Sequence, residues 1–144
     1  MLRESPEDRR TQILAMERIE AIKGWRLVTL HRRYHADWCA FNAESGEVEA
    51  FVEYKRRNCK HDDFETVFLD VNKYVHCTSL ADSFGAAFIY INEWDDAFGF
   101  CEPKTRDLLR PDHLSSRRCS YRDDPDDEYL MIHIPLSRFE LIQK

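Results

Sequence analysis

The sequence feature that most constrains the fold is a charge set into an apolar strand. From Ala36 to Ala43 the chain reads ADWCAFNA, and Trp38, Cys39, Ala40 and Phe41 put apolar groups on both faces, as a strand inside a sheet requires. Asp37 stands at its start. A carboxylate there costs several kcal/mol unless a cation or hydrogen bonds compensate it. Glu44-Ser45-Gly46 follows as turn residues, with a glycine able to take positive φ. The next stretch, Glu47 to Lys55, alternates: Val48, Ala50, Val52 and Tyr54 fall on one side, Glu49, Phe51, Glu53 and Lys55 on the other. A hairpin closed at Glu44–Gly46 brings Asp37 to the end of the sheet that carries Glu53 and Lys55.

Two carboxylates and an ammonium in that arrangement suit one kind of chemistry. Mg²⁺ takes hard oxygen ligands, commonly one or two protein carboxylates, with waters and substrate phosphate completing its shell. Such an ion acidifies a bound water and stabilises charge growing on a phosphate. Asp37 and Glu53 are the candidate ligands, with Mn²⁺ as an alternative ion, and Lys55 is placed to orient the water. An E-x-K triplet alone is more often a solvated or ion-paired face. The aspartate on an apolar strand is what shifts the reading toward a site.

Asp37 followed by Glu53-Tyr54-Lys55 resembles the D…(D/E)-x-K signature of the PD-(D/E)XK nuclease superfamily, and within it the small, single-domain, phage-type members. The resemblance covers roughly Ile13 to Pro103: a helix, a three-strand meander, a second helix and a further strand pair. Ala36 stands where the name of the signature has proline, a position that is not a ligand. The resemblance implies a restriction-endonuclease-like α/β (α+β) fold, a mixed central sheet of about five strands flanked by helices. It implies a Mg²⁺-dependent nuclease acting on phosphodiester bonds, most naturally in DNA, with the Tyr54 carbonyl completing the metal shell. It also implies a glutamate from the first helix beside the metal, for which counting back from Gly24-Trp25 favours Glu17 over Glu20. Lys73, from the second helix, is a further candidate to approach the site. A homodimer is a candidate assembly, and the cytoplasm of a bacterium or phage-infected host the expected location.

Charge distribution matters here because the total, −6, does not advertise a nucleic-acid binder. Two basic clusters flank the hairpin: His31-Arg32-Arg33-Tyr34-His35 before it, and Lys55-Arg56-Arg57-Asn58-Cys59-Lys60-His61 after it. Arg32, Arg33, Arg56, Arg57 and Lys60 are thus expected to rim a positive groove around the carboxylates. A scaffold of this type without turnover, binding DNA or protein, is the alternative, and the complete triad argues against it. A DNA mimic would need its acids on one continuous face, whereas here they alternate with basic clusters.

The remaining chain fits one domain over residues 1–144. Ser5 caps a helix to Lys23 that Gly24 stops, with Ile13, Leu14, Ile19 and Ile22 as its buried stripe and Met16 beside it. Trp25 to Leu30 reads as a strand, and Asp70 to Phe84 as a helix with Val71, Tyr74, Val75, Leu80 and Ala81 as its core side. Ala86 to Asn92 and Ala97 to Cys101 read as a strand pair, Tyr129 to Ile134 as a last strand, and Leu136 to Ile142 as an apolar tail. Lys104 to Asp127 reads as a polar excursion whose DDPDDE run lacks the spacing of a calcium loop. The five cysteines are scattered without a CxxC pair and read as reduced thiols of a cytosolic protein. His76 and Cys77 with Cys59 or His61 match no zinc module. No apolar run approaches the roughly 18 residues of a membrane span, and the first ten residues are too polar for a signal peptide.

Overall fold

The computed structural model describes residues 5–104, 111–118 and 128–144. Helix α1 (Pro6–Lys23) starts in a capping box, in which Ser5 and Asp8 satisfy each other's backbone N–H, and ends on Gly24 at φ 67, whose N–H donates to Glu20 O. A meander follows: β1 (Trp25–Thr29), a 3₁₀ turn at Arg32–Tyr34, β2 (Trp38–Asn42) and β3 (Val48–Arg56). Strand β4 (Thr66–Asp70) leads directly into α2 (Val71–Ser83), capped by the Asp70 side chain on Asn72 N. The chain then returns as β5 (Ala87–Glu93), hydrogen-bonded parallel to β3, and as β6 (Ala97–Cys101). Beyond these lie β7 (Leu114–Arg118), β8 (Glu128–Pro135) and β9 (Glu140–Gln143).

The main sheet is mixed and six-stranded, ordered β1-β2-β3-β5-β6-β9, and a second sheet runs β4-β8-β7. The α/β class is therefore as the sequence implies, with a larger strand inventory. Thr66–Asp70, just before the helix expected from Asp70, form β4, and the apolar tail supplies β9 as an edge of the main sheet. The polar excursion contains β7, while its residues 105–110 and 119–127 lie outside those described.

Two cores sandwich the main sheet. On one face, α1 contributes Ala15 and Ile19 against Trp38, Val52, Tyr54, Ile91 and Phe98. On the other, α2 and the second sheet contribute Tyr74, Cys77, Leu69, Ile132 and Ile134 against Cys39, Phe51, Phe88 and Tyr90. Aromatic side chains bury roughly 150–250 Å² each and dominate such cores. The largest groups come from the sheet, and α1 buries only Ala15 and Ile19 against it. Ile13, Leu14 and Ile22, expected in its buried stripe, are exposed. In α2 the buried residues are Tyr74, Cys77 and Ala81, while Val75 is exposed. At Gly99 an added Cβ would lie 2.5 Å from the Trp94 ring, so this strand position admits glycine alone. Cys39, Cys59, Cys77 and Cys101 are free thiols. No helix among the described residues is long and apolar enough to cross a membrane.

Candidate active site

The site is built where β2 stops short of β3. Their pairing begins at Trp38↔Val52; one residue earlier, Asp37 N donates to Val52 O at 2.9 Å. The next backbone group on that edge of β3 has no strand to meet. The Asp37 side chain takes its place, Oδ2 accepting from Tyr54 N at 2.9 Å. Along a strand a residue's N–H and C=O turn to the same side, so the Tyr54 carbonyl faces this edge as well. An aspartate at a strand start thus becomes the end cap of a neighbouring strand.

Glu53 projects to the α2 face beside it. Its carboxyl interacts with that of Asp37. Burial first, and then the Asp37 charge, push Glu53 up to about 8, against a pull downward from Lys73. Two carboxylates this close cannot both ionise cheaply without a cation. Lys73 comes from α2, with Nζ 3.5 Å from Glu53 Oε2 and 3.0 Å from the His35 carbonyl. An ammonium has three donors, so one remains for a substrate oxygen.

His35 shapes the approach to Asp37. It is the one non-glycine residue at positive φ among those described, at 61°, a conformation that persists only where surroundings enforce it. One face of α2 does so. Lys73 and Cys77 both hydrogen-bond its carbonyl, and His76 stacks on its ring with centroids 4.1 Å apart. Cys77 is a buried thiol pushed up to about 12, by burial foremost and by the Glu53 charge next. The sequence carried no signal for this clamp beyond the helical spacing of residues 73, 76 and 77.

The remaining expected residues lie around the pair or away from it. Lys55 is exposed and lines a cleft against the start of α1. Glu17 is exposed on α1, which packs on the opposite face of the sheet from Glu53. Among the described residues no third acid, histidine or cysteine joins Asp37 and Glu53 in a cluster with ligand atoms within 4.8 Å, so Glu17 is not brought to the pair. Glu20 is tied to Leu27 N at 3.0 Å. Arg32 and Arg33 are exposed in the 3₁₀ turn before Asp37, and Lys60 is exposed in the connection after β3. Of Arg56 and Arg57, both expected on the rim, Arg57 turns into the protein and Arg56 is held in a partly exposed ion pair. Arg56 pairs with Asp95 at 2.7 Å. Arg57 donates to Asn92 Oδ1, Phe68 O and Tyr90 OH at 2.8–3.1 Å, because buried acceptors on β4 and β5 need a donor.

His61, Asp62 and Asp96 also bring ligand atoms within 4.8 Å of one another. There the His61 backbone and ring both hydrogen-bond Asp96, which accounts for their proximity. The Asp37–Glu53 pair is the better donor set for a hard divalent cation: two carboxyl groups in contact, an adjacent backbone carbonyl, and a proton affinity that falls when positive charge arrives.

Over residues 2–142 the sequence matches the family described as "Phage putative PDDEXK endonuclease". No curated protein matches. Among solved structures the chain is similar to Hjc, a Holliday junction resolvase of the archaeal hyperthermophile Archaeoglobus fulgidus, with 12% identity and a TM-score of 0.46 over 89% of this chain and 96% of that one. With nearly its whole length matched, the chain belongs to this family of phage PDDEXK endonucleases.

Proposed function

We propose that the protein is a divalent-metal-dependent nuclease that hydrolyses phosphodiester bonds in DNA, with its centre at Asp37 and Glu53. The observation that carries this reading is the contact between two half-buried carboxyl groups at the end of β2 and β3, one of them raised to about 8. Asp37, Glu53 and the Tyr54 carbonyl would hold the ion. When bound, Mg²⁺ or Mn²⁺ would supply an acidified water and a Lewis acid for the phosphate.

The chain's own groups would do the rest. Asp37 Oδ2 and Tyr54 N lock the two strands together, so the oxygens are fixed before substrate arrives. Lys73, braced on the His35 carbonyl, would offer its remaining N–H to a non-bridging phosphate oxygen. Lys55, exposed on the adjoining cleft, would orient the attacking water, whose oxygen bonds to phosphorus as the bond to the leaving oxygen breaks. Arg32, Arg33 and Lys60 would neutralise flanking phosphates.

Calorimetric titration with Mn²⁺ tests the ion directly. Wild type should show a site that Asp37→Asn abolishes, with protons released on binding when the titration is done near pH 7. Equal Mn²⁺ binding by wild type and Asp37→Asn would overturn the assignment.

A further inference from the structure

Beyond Lys55 the surface offers a second site that the cleavage chemistry does not use. The connection from β3 to β4 arches over a cleft of about 780 Å³. The cleft that holds Lys55 has Arg56 and Asn58 among its lining, and both of these residues also line the second one. The two clefts therefore adjoin at these two residues. Glu53 and Arg57 are four residues apart at the end of β3, at most about 13 Å at 3.3 Å per residue.

The lining fits a base better than a phosphate. Its cations are spoken for, Arg56 by Asp95 and Arg57 by three internal acceptors. Asp63 and Glu65 line it too and would repel an anion. What it presents instead is apolar surface, above all from Phe64, since Val67 and Trp94 in the same lining are almost wholly buried. Phe64 is 68% exposed in the polar run His61-Asp62-Asp63-Phe64-Glu65, and leaving a phenyl ring in water forgoes roughly 1.5–3 kcal/mol of burial. The exposed Asn58, in the same lining, carries an amide with two donors and an acceptor. A flat apolar face with a neutral hydrogen-bonding edge is how proteins hold a base lifted out of a stack. The volume lies within the roughly 300–1,000 Å³ usual for ligand clefts.

We infer that this cleft binds an unpaired nucleobase of the nucleic acid, stacked on Phe64 and read by Asn58, a few nucleotides from the scissile phosphate. The inference rests on the nuclease reading and narrows its substrates to nucleic acid with a base free to leave the stack.

The test is equilibrium binding in Ca²⁺, which suppresses turnover, for wild type, Phe64→Ala and Phe64→Trp. The probes are a single-stranded oligonucleotide, a duplex with an unpaired 2-aminopurine, and the fully paired duplex. Because Phe64 is exposed, the variants should melt with wild type. Stacking of one base on an aromatic ring is worth about 1–3 kcal/mol. Phe64→Ala should therefore bind the first two probes about 5- to 100-fold more weakly and the paired duplex within about twofold of wild type. Phe64→Trp should restore binding, and 2-aminopurine fluorescence should be quenched by wild type and not by Phe64→Ala. If wild type binds and Phe64→Ala is indistinguishable from it, or loses all three probes equally, the cleft is refuted and the nuclease reading stands. If wild type binds none of the three, both fall together.

Discussion

Glu53→Gln should make the metal-free protein more stable at pH 8 while leaving it nearly unchanged at pH 5. In the folded protein Glu53 is pushed up to about 8 from an ordinary value of 4.5, and its side chain is only 14% exposed. Below about pH 4.5 the carboxyl is protonated in both folded and unfolded chains. Between about 4.5 and 8 the folded chain keeps a proton that the unfolded chain gives up, so stability falls as pH rises. At 1.36 kcal/mol for each pH unit of this window, the loss between pH 5 and pH 8 is on the order of 3 kcal/mol. Glutamine cannot ionise, so the variant lacks this slope. The assay is urea or thermal unfolding in EDTA at pH 5, 6, 7 and 8. The two proteins should agree at pH 5 and separate by about 3 kcal/mol at pH 8, roughly 10 °C in melting temperature for a chain of this size. Mg²⁺ at 1,000 times its dissociation constant should invert the order at pH 8, because it then adds about 4.1 kcal/mol to the protein that binds it. Parallel curves for the two proteins across the pH range would refute the reasoning, since the pair would then hold no shared proton.

Lys55→Ala should lower the cleavage rate at least about tenfold while changing DNA affinity in Ca²⁺ by less than about threefold, because an interaction made with the attacking water appears only in the transition state; a parallel loss of rate and affinity would make it a phosphate contact. Arg57→Ala should cost roughly 2–4 kcal/mol in urea unfolding, since it strips the donor from Asn92 Oδ1 and Tyr90 OH inside the protein and leaves Phe68 O only the Tyr90 hydroxyl, and should leave the salt dependence of binding unaltered. Replacing Arg33 and Lys60 by alanine together should flatten the log–log salt slope of duplex binding by about two, at roughly 0.9 per phosphate contact; an unchanged slope would take both off the nucleic-acid surface.

The hairpin was legible because its signal is local. Alternation from Val48 to Lys55 and the turn at Glu44–Gly46 set which side chains share a face, and a carboxylate on an apolar strand needs a reason. That the gap in the ladder above Val52 is closed by Asp37 on Tyr54 N is a property of pairing, visible only with both strands placed. The fate of Arg56 and Arg57 was illegible for the same reason. A basic run reads as solvated until the buried acceptors Asn92, Tyr90 and Phe68 O, far along the chain, are brought beneath it. Apolar spacing in α1 placed Ile19 in the core but misassigned Ile13, Leu14 and Ile22, because the sheet face it meets is already filled by Trp38 and Phe98 and takes only Ala15 and Ile19 as buried residues from the helix. Strand β4 was hidden because its partner β8 lies some sixty residues away (Val67↔Ile134), and its short run merges with the helix start. Lys73 was in view as a second-helix lysine, and what the fold adds is its joint hold on Glu53 and His35.

The central claim is tested most directly by cleavage of single-stranded, duplex and branched DNA in Mg²⁺ or Mn²⁺, compared among wild type, Asp37→Asn and Glu53→Gln at matched stability. Wild type should cut at least one of these substrates, EDTA should stop it, and each substitution should abolish it. Cleavage that survives either substitution, or wild type that binds DNA yet cuts none of the three in either ion, would contradict the account and leave a binding module on a nuclease scaffold.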